Sequence, residues 1–280
     1  MQPEENAPIT ALSWARHHRW SWQPPRDFSF VRALRTVSIT LSETHAAAAC
    51  FPLIFAAGSC GTVPQVLLRR SASGQSVFIG PEGQWQAAWL PPRLAAWPFD
   101  LICLPDGAAI IGLNEDSGAV SGASHGLAIF APDAGQSEKS QTALPSLTEA
   151  ATKAVAPLHR QARELSKTLV ATHALEQHGL LAPLDDDPDL QIIDAKAAST
   201  VSEAQIVELN RSGALGLFYA GLVSLSHLPW MSRAERHLAA PATCLPRSRM
   251  DAKGSGDFLT SLSDAYTHEA NQTLHHGASA

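Results

Sequence analysis

The feature that most restricts this chain is a change in the period of its apolar residues near the middle of the sequence. Up to Phe130 they fall in short runs broken by Pro, Gly, Ser and Asp, the punctuation of strands and turns. Across 131–142 the chain turns polar, and beyond it Leu158, Ala162, Leu165 and Leu169 recur at steps of four, three and four. Those steps put them on one face of a helix. Strand signals first and helix signals afterwards exclude the alternation of a doubly wound fold. They predict an α+β fold, a bent, mainly antiparallel sheet or partial barrel followed by a helical layer. One domain is expected over 26–231, β-rich over 26–130 and helical over 146–228, preceded by an N-terminal arm over 1–25. From 232 to 280 apolar residues thin out, which predicts a disordered tail.

Within the first half, 37–41 (VSITL) alternates as a strand does, and 46–57 combines an alanine-rich helical turn with the strand-like FPLIF. The runs 75–79 and 84–90 flank Gly80-Pro-Glu-Gly83, a hairpin signal. Likewise 99–104 and 108–113 frame Pro105-Asp106-Gly107, and 126–130 makes a last strand. In the second half Ser146-Leu-Thr-Glu149 and Ser202-Glu-Ala-Gln205 have the pattern of capping boxes. Pro157 is expected to kink or restart the first helix, and Gly179 to cap its end. A short strand is expected at 190–194 (LQIID). Gly213 is expected to end or bend a second helix, before a third, 214–226, whose apolar character nearly all round predicts burial.

Composition removes several function classes. Charged residues make up 16% of the 280, well below the usual quarter, and the net charge is −6 with histidine neutral. No broad cationic surface is available for nucleic acid or anionic lipid, so no nucleic-acid partner is expected. The uncharged stretch 212–231 carries three serines, a histidine and a proline, and is expected to be a buried helix rather than an integral membrane span. The acidic, polar opening MQPEENAPIT is unlike a signal peptide. Cys50, Cys60, Cys103 and Cys244 lack C-x-x-C spacing and are all expected to be reduced, in keeping with a cytoplasmic location.

Catalytic motifs fail on context. Gly122-Ala-Ser-His-Gly126 matches the nucleophile elbow, but a Gly/Ser loop precedes Ser124 and a strand follows, the reverse of what an exposed, strained serine requires. His268-Glu-Ala-Asn-Gln272 puts an amide where a zinc protease needs its second histidine. Asp185-Asp-Asp-Pro-Asp189 lacks a calcium-loop register, and His173 and His178 do not share a helix face. Arg16-His-His-Arg19, interleaved with Trp14, Trp20 and Trp22, resembles single-strand nucleic-acid binders but is one short patch that pins the arm to the body. No catalytic residue, metal site or cofactor is therefore assigned.

The stretch 83–99 (GQWQAAWLPPRLAAWPF) holds three of the seven tryptophans. Trp85, Ala87 and Trp89 point to one side of a strand, Gln84, Gln86 and Ala88 to the other. Pro91-Pro92 ends pairing, because neither donates a ladder hydrogen bond. A single turn then returns Trp97, and Pro98 fixes the entry of Phe99. The stretch is expected to be mainly a core wedge with one exposed rim. Trp85, Trp89, Arg93, Trp97 and Phe99 form the candidate binding set for an apolar or proline-rich peptide of a protein partner. An alternative acid–base set, converging only in three dimensions, is Glu43, His45 and Asp194.

From about His17 to Leu228 the ordered segments resemble the SapC-like family of bacterial proteins. The resemblance is carried by Ser76-Val-Phe78, Gly83-Gln-Trp85, Trp89-Leu-Pro91 and Trp97-Pro-Phe99. Upstream it includes Glu43, Ala46-Ala47 and Phe51-Pro-Leu-Ile-Phe55; downstream Gly126-Leu-Ala-Ile-Phe130, Gly213-Ala-Leu215, Tyr219-Ala220 and Ser224-Leu225. Two positions depart from the pattern. Ala95-Ala96 stand where the family commonly has arginine, and Gly221 stands where it has histidine. The resemblance implies a non-catalytic binding or assembly protein linked to a surface layer or its export, of open oligomeric state. The rival expectation is an enzyme, or an accessory subunit of one. A permease would need a bundle of spans, which this chain lacks.

Overall fold

The computed structural model describes residues 9–239 except 59, 72–74, 106, 123–125, 133–145 and 186. In chain order the elements are β1 (Ile9–Ala11), α1 (Trp14–His17), β2 (Ser21–Trp22), β3 (Thr36–Ser38), α2 (Thr44–Ala48), β4 (Leu53–Gly58) and β5 (Gly61–Leu67). There follow α3 (Pro92–Ala95), β6 (Phe99–Cys103), β7 (Ala109–Asn114), β8 (Val120–Ser121), β9 (Leu127–Ala128) and α4 (Glu149–Gln177). The last are β10 (Leu181–Leu184), β11 (Asp187–Ile193), α5 (Ala195–Ala198), α6 (Glu203–Arg211), α7 (Ala214–Ser224) and α8 (His227–Ala239).

The α+β class is as expected, but the β layer is divided. Its strands pair antiparallel in three sheets, ordered β10-β11-β4-β5-β3, β1-β7-β6 and β8-β2-β9, none closed into a barrel. The strand β5 was not legible because Pro64 lies within it. Residues 61, 63, 65 and 67 of β5 are in register to bond β4, while Val66 bonds Val37 of β3 and the Pro64 carbonyl accepts from Ile39. The proline therefore withholds its missing donor on the β3 side only, at the point where β3 stops. Of the expected arm over 1–25, the described residues from Ile9 are woven in: β1 pairs with β7, and β2 lies between β8 and β9.

Helix α4 reaches all three sheets, packing on β5, β6, β7 and β9, and on α7. It starts later than the Ser146 box predicts. Leu147 is bridged to Phe130 and Ala131 N–H bonds the Ser146 carbonyl, so the chain stays extended to Thr148, whose hydroxyl oxygen accepts from Ala151 N–H at 3.2 Å. Pro157 does not restart the helix, which runs through it; having no N–H, it leaves the Lys153 carbonyl without its amide donor. Gly179, at φ 64°, closes the helix: its N–H bonds the Glu176 carbonyl and Leu180 N–H the Leu175 carbonyl, the paired bonds of a Schellman end. The Ser202–Gln205 box forms as expected, and Gly213, at φ 77°, separates α6 from α7.

Three apolar clusters result. One gathers Phe51, Ile54, Leu67 and Phe78 under the aromatic stretch; a second joins Phe55 to Leu175, Leu217 and Phe218; the third holds Trp22, Phe99, Leu113 and Leu158. Each fully buried side chain of this size contributes roughly 1.5–3 kcal/mol. Helix α7 is not buried all round: Ala214, Leu217, Phe218 and Gly221 face inward, whereas Tyr219 and Val223 are 54% and 65% exposed. Helix α8 carries the fold through Ala239, into the segment expected to be tail; 240–280 lie outside the described residues. Among the described residues no single helix is long and apolar enough to cross a membrane. The pair α7 and α8 reaches that length and composition only together, bent by 44°.

Candidate functional site between two sheet edges

Strands β3 and β6 are the last strands of their sheets, and they wall a shared groove. The outer cavity, of about 290 Å³, is lined by Thr36, Val37 and Ser38 of β3 and by Asp100 and Leu101 of β6. Arg93, Leu94 and Trp97, on and after α3, complete one side, and Gln65 adds a polar group. Ser38, Gly58, Arg93 and Leu101 also line an inner cavity of about 50 Å³, backed by Gln161 and Leu165 of α4. Cys60 and Cys103 lie on that inner wall, disulfide-bonded with Cα atoms 5.4 Å apart. The expectation that these two are reduced is corrected: folding brings the β4–β5 turn to the end of β6, which no spacing in the sequence announces. Cys50 is a free thiol, and Cys244 lies outside the described residues.

Arg93 is placed by the proline pair. Pro91 precedes α3 and Pro92 opens it, where a missing N–H costs nothing. The guanidinium Nε then donates to Asp100 Oδ1 at 2.6 Å, and a second nitrogen donates to the Leu101 carbonyl at 3.4 Å. Asp100 Oδ1 also accepts the Leu101 N–H at 2.7 Å. The pair is about four-fifths buried on both sides. Trp97 stacks on Phe30 at 4.6 Å and 12°, and the peptide joining it to Pro98 is cis.

The five residues of the candidate binding set separate. Trp85, Ala87 and Trp89 turn inward and Gln84, Gln86 and Ala88 outward, as alternation predicts. The expected hairpin is reduced to one bridge, Ile79 with Trp85, and its turn. Trp85 sits among Phe28, Phe51 and Phe78 and donates its indole N–H to the Trp89 carbonyl at 3.1 Å; Trp89 lies edge-on to Phe51. Both are core wedge. Phe99 is fully buried in the third cluster, edge-on to Trp22. Only Arg93 and Trp97 reach the groove.

Glu43, His45 and Asp194 have no partner in common. Glu43 accepts from Thr40 N–H at 2.8 Å, closing a capping box, and from Gln161 Nε2 at 2.9 Å. Burial raises its carboxyl above the ordinary 4.5, helped by nearby Glu164, against the pull of those donors. Glu164 shifts the other way, lowered chiefly by Ser42. His45 is exposed on α2, and Asp194 caps α5, accepting from Lys196 N–H at 2.8 Å. Two members of the basic–aromatic patch are paired: Arg16 and buried His17 both bind Glu115, which is held down to about 2 by Arg16 first. Ser124, Asp186 and His268 lie outside the described residues. Among the described residues no three His, Cys, Asp or Glu side chains are grouped to hold a metal.

The chain matches the SapC family over residues 12–230 and belongs to it. No curated protein and no solved structure matches it. One of the two departures from the family pattern, at Gly221, has a structural reason. A side chain at Gly221 would run into Ile193 of β11, so α7 approaches the sheet more closely than a histidine there allows. Ala96 is buried and Ala95 exposed, and Arg93 lines the groove.

Proposed function

We infer that this SapC-family chain is a non-catalytic binding or assembly protein, and that it takes a segment of a protein partner into the groove between β3 and β6. The observation that carries this is a concave site with Trp97, Leu94 and Leu101 as apolar walls and a few convergent polar groups, Arg93, Asp100 and Gln65. Family membership supports a partner from a surface-layer or export system. Affinity pull-down from the native host tests the reading, with wild type compared with Arg93→Ala and Trp97→Ala. A specific partner lost from both variants, at preserved melting transitions, supports it; an unchanged partner set removes the groove.

The acid–base reading narrows to Glu43, because its carboxyl and that of Glu164 are pushed apart, the pattern of an acid and a base. Thr40 and Gln161, which bond Glu43, line the inner cavity. The bonds of Glu43 tie α2 to α4, so a structural tie is the reading we retain. A turnover abolished by Glu43→Gln in a folded protein would reverse that choice.

A further inference from the structure

The two strands that wall the groove differ in what their outer edges offer. In β3 the bonds from Leu68 N–H to the Arg35 carbonyl and from Ile39 N–H to the Pro64 carbonyl fix the parity: Arg35, Val37 and Ile39 turn their backbone groups to β5. Thr36 and Ser38 therefore turn theirs away from the sheet. Their two N–H and two C=O groups make no hydrogen bond among the described residues. In β6 the same parity argument turns Leu101 outward, since Asn114 N–H bonds the Pro98 carbonyl and Leu104 N–H the Ala108 carbonyl. There the edge is covered: Asp100 takes the Leu101 N–H and Arg93 serves its carbonyl. A covered edge resists strand pairing, and an open one is a template for it.

We propose that the β3 edge binds an extended peptide segment of a partner protein by strand addition, pairing with the backbone of Thr36 and Ser38. This rests on the groove reading above and names its mode. Alternating donors and acceptors at strand spacing require an extended backbone as their complement, and no compact small molecule supplies that pattern. Alternate side chains of the incoming strand then meet Val37, Leu94 and Trp97. The Arg93–Asp100 pair holds β6 out of the ladder, so the peptide has a single register template.

Proline scanning separates the two edges of β3. Ser38→Pro removes an outward N–H that bonds nothing, so the fold should persist; Ser38→Ala keeps the backbone intact. The probe is the strongest binder selected on the full chain from a displayed library of random peptides of about ten residues, longer than a typical strand. Expected are binding to wild type and Ser38→Ala, slowed amide exchange at Thr36 and Ser38, and at least about tenfold weaker binding to Ser38→Pro at an unchanged melting temperature. Equal binding by Ser38→Pro, or a selection yielding no binder sensitive to Arg93→Ala or Trp97→Ala, overturns the proposal. Should wild type only dimerise and select no peptide, with the dimer weakened by Ser38→Pro, the edge joins two copies and the peptide is likewise refuted. A native partner lost from Arg93→Ala and Trp97→Ala yet kept by Ser38→Pro leaves the groove standing and removes strand addition alone.

Discussion

The two ends of one aromatic stretch, Trp85–Trp89 and Arg93–Trp97, have the same kind of residues and opposite fates. The first is folded under Phe28, Phe51 and Phe78, with its indole donor satisfied by the Trp89 carbonyl. The second is carried by a proline-started turn to the mouth of a groove, where Trp97 has Phe30 on one face and Arg93 is tied to Asp100. Pro91 and Pro92 make the difference. They stop the chain from continuing as a strand on the wedge and swing the next turn towards β3 and β6. Aromatic content alone does not mark a binding surface; the position of the chain break does.

Substitution in the two ends should break this symmetry, and the largest effect belongs to the wedge. Phe51 is fully buried against Phe78, Trp85 and Trp89, so Phe51→Ala should cost about 3–5 kcal/mol in denaturant unfolding. Arg93→Ala should cost less, about 1–3 kcal/mol, because it leaves the largely buried Asp100 without its cation, while removing partner binding. Comparable losses of stability from both would deny that one end is structural and the other functional.

A smaller effect sharpens the contrast through pH. The folded-state carboxyl of Glu43 lies above 4.5, so the native state holds that proton more tightly than the unfolded chain. Its contribution is present below about 4.5 and is lost as pH rises through the raised value. Glu115 has the opposite sign: its contribution is present above 4.5 and lost as pH falls towards about 2. Glu43→Gln should flatten the decline on the neutral side, and Glu115→Gln the acid decline, in stability measured across pH. Exchanged effects would mean that the two carboxyls sit in environments other than those described.

What was legible in the sequence was local. The β6–β7 hairpin around Pro105-Asp106-Gly107, the Gly179 helix end, the Ser202 box and the inward set Trp85, Ala87 and Trp89 all follow from residues a few places apart. The site was only half legible. Arg93 and Trp97 stood out by residue type, but Thr36, Ser38 and Asp100 matter because of where their strands fall in a sheet order, which no short window contains. Strand β5 was hidden by Pro64, whose tolerance depends on which neighbour its nitrogen faces. The Cys60–Cys103 bond depends on the same long-range order. Glu43 was found as a titratable residue, yet its partner Gln161 lies on a helix 118 residues away.

The most direct measurement is hydrogen–deuterium exchange of the full chain with and without its captured partner. The account predicts protection confined to 34–38 and 93–101, with the wedge at 78–89 unchanged. Protection instead on the exposed face of α7 and α8, at Tyr219, Val223 and Trp230, with none in the groove, would contradict it.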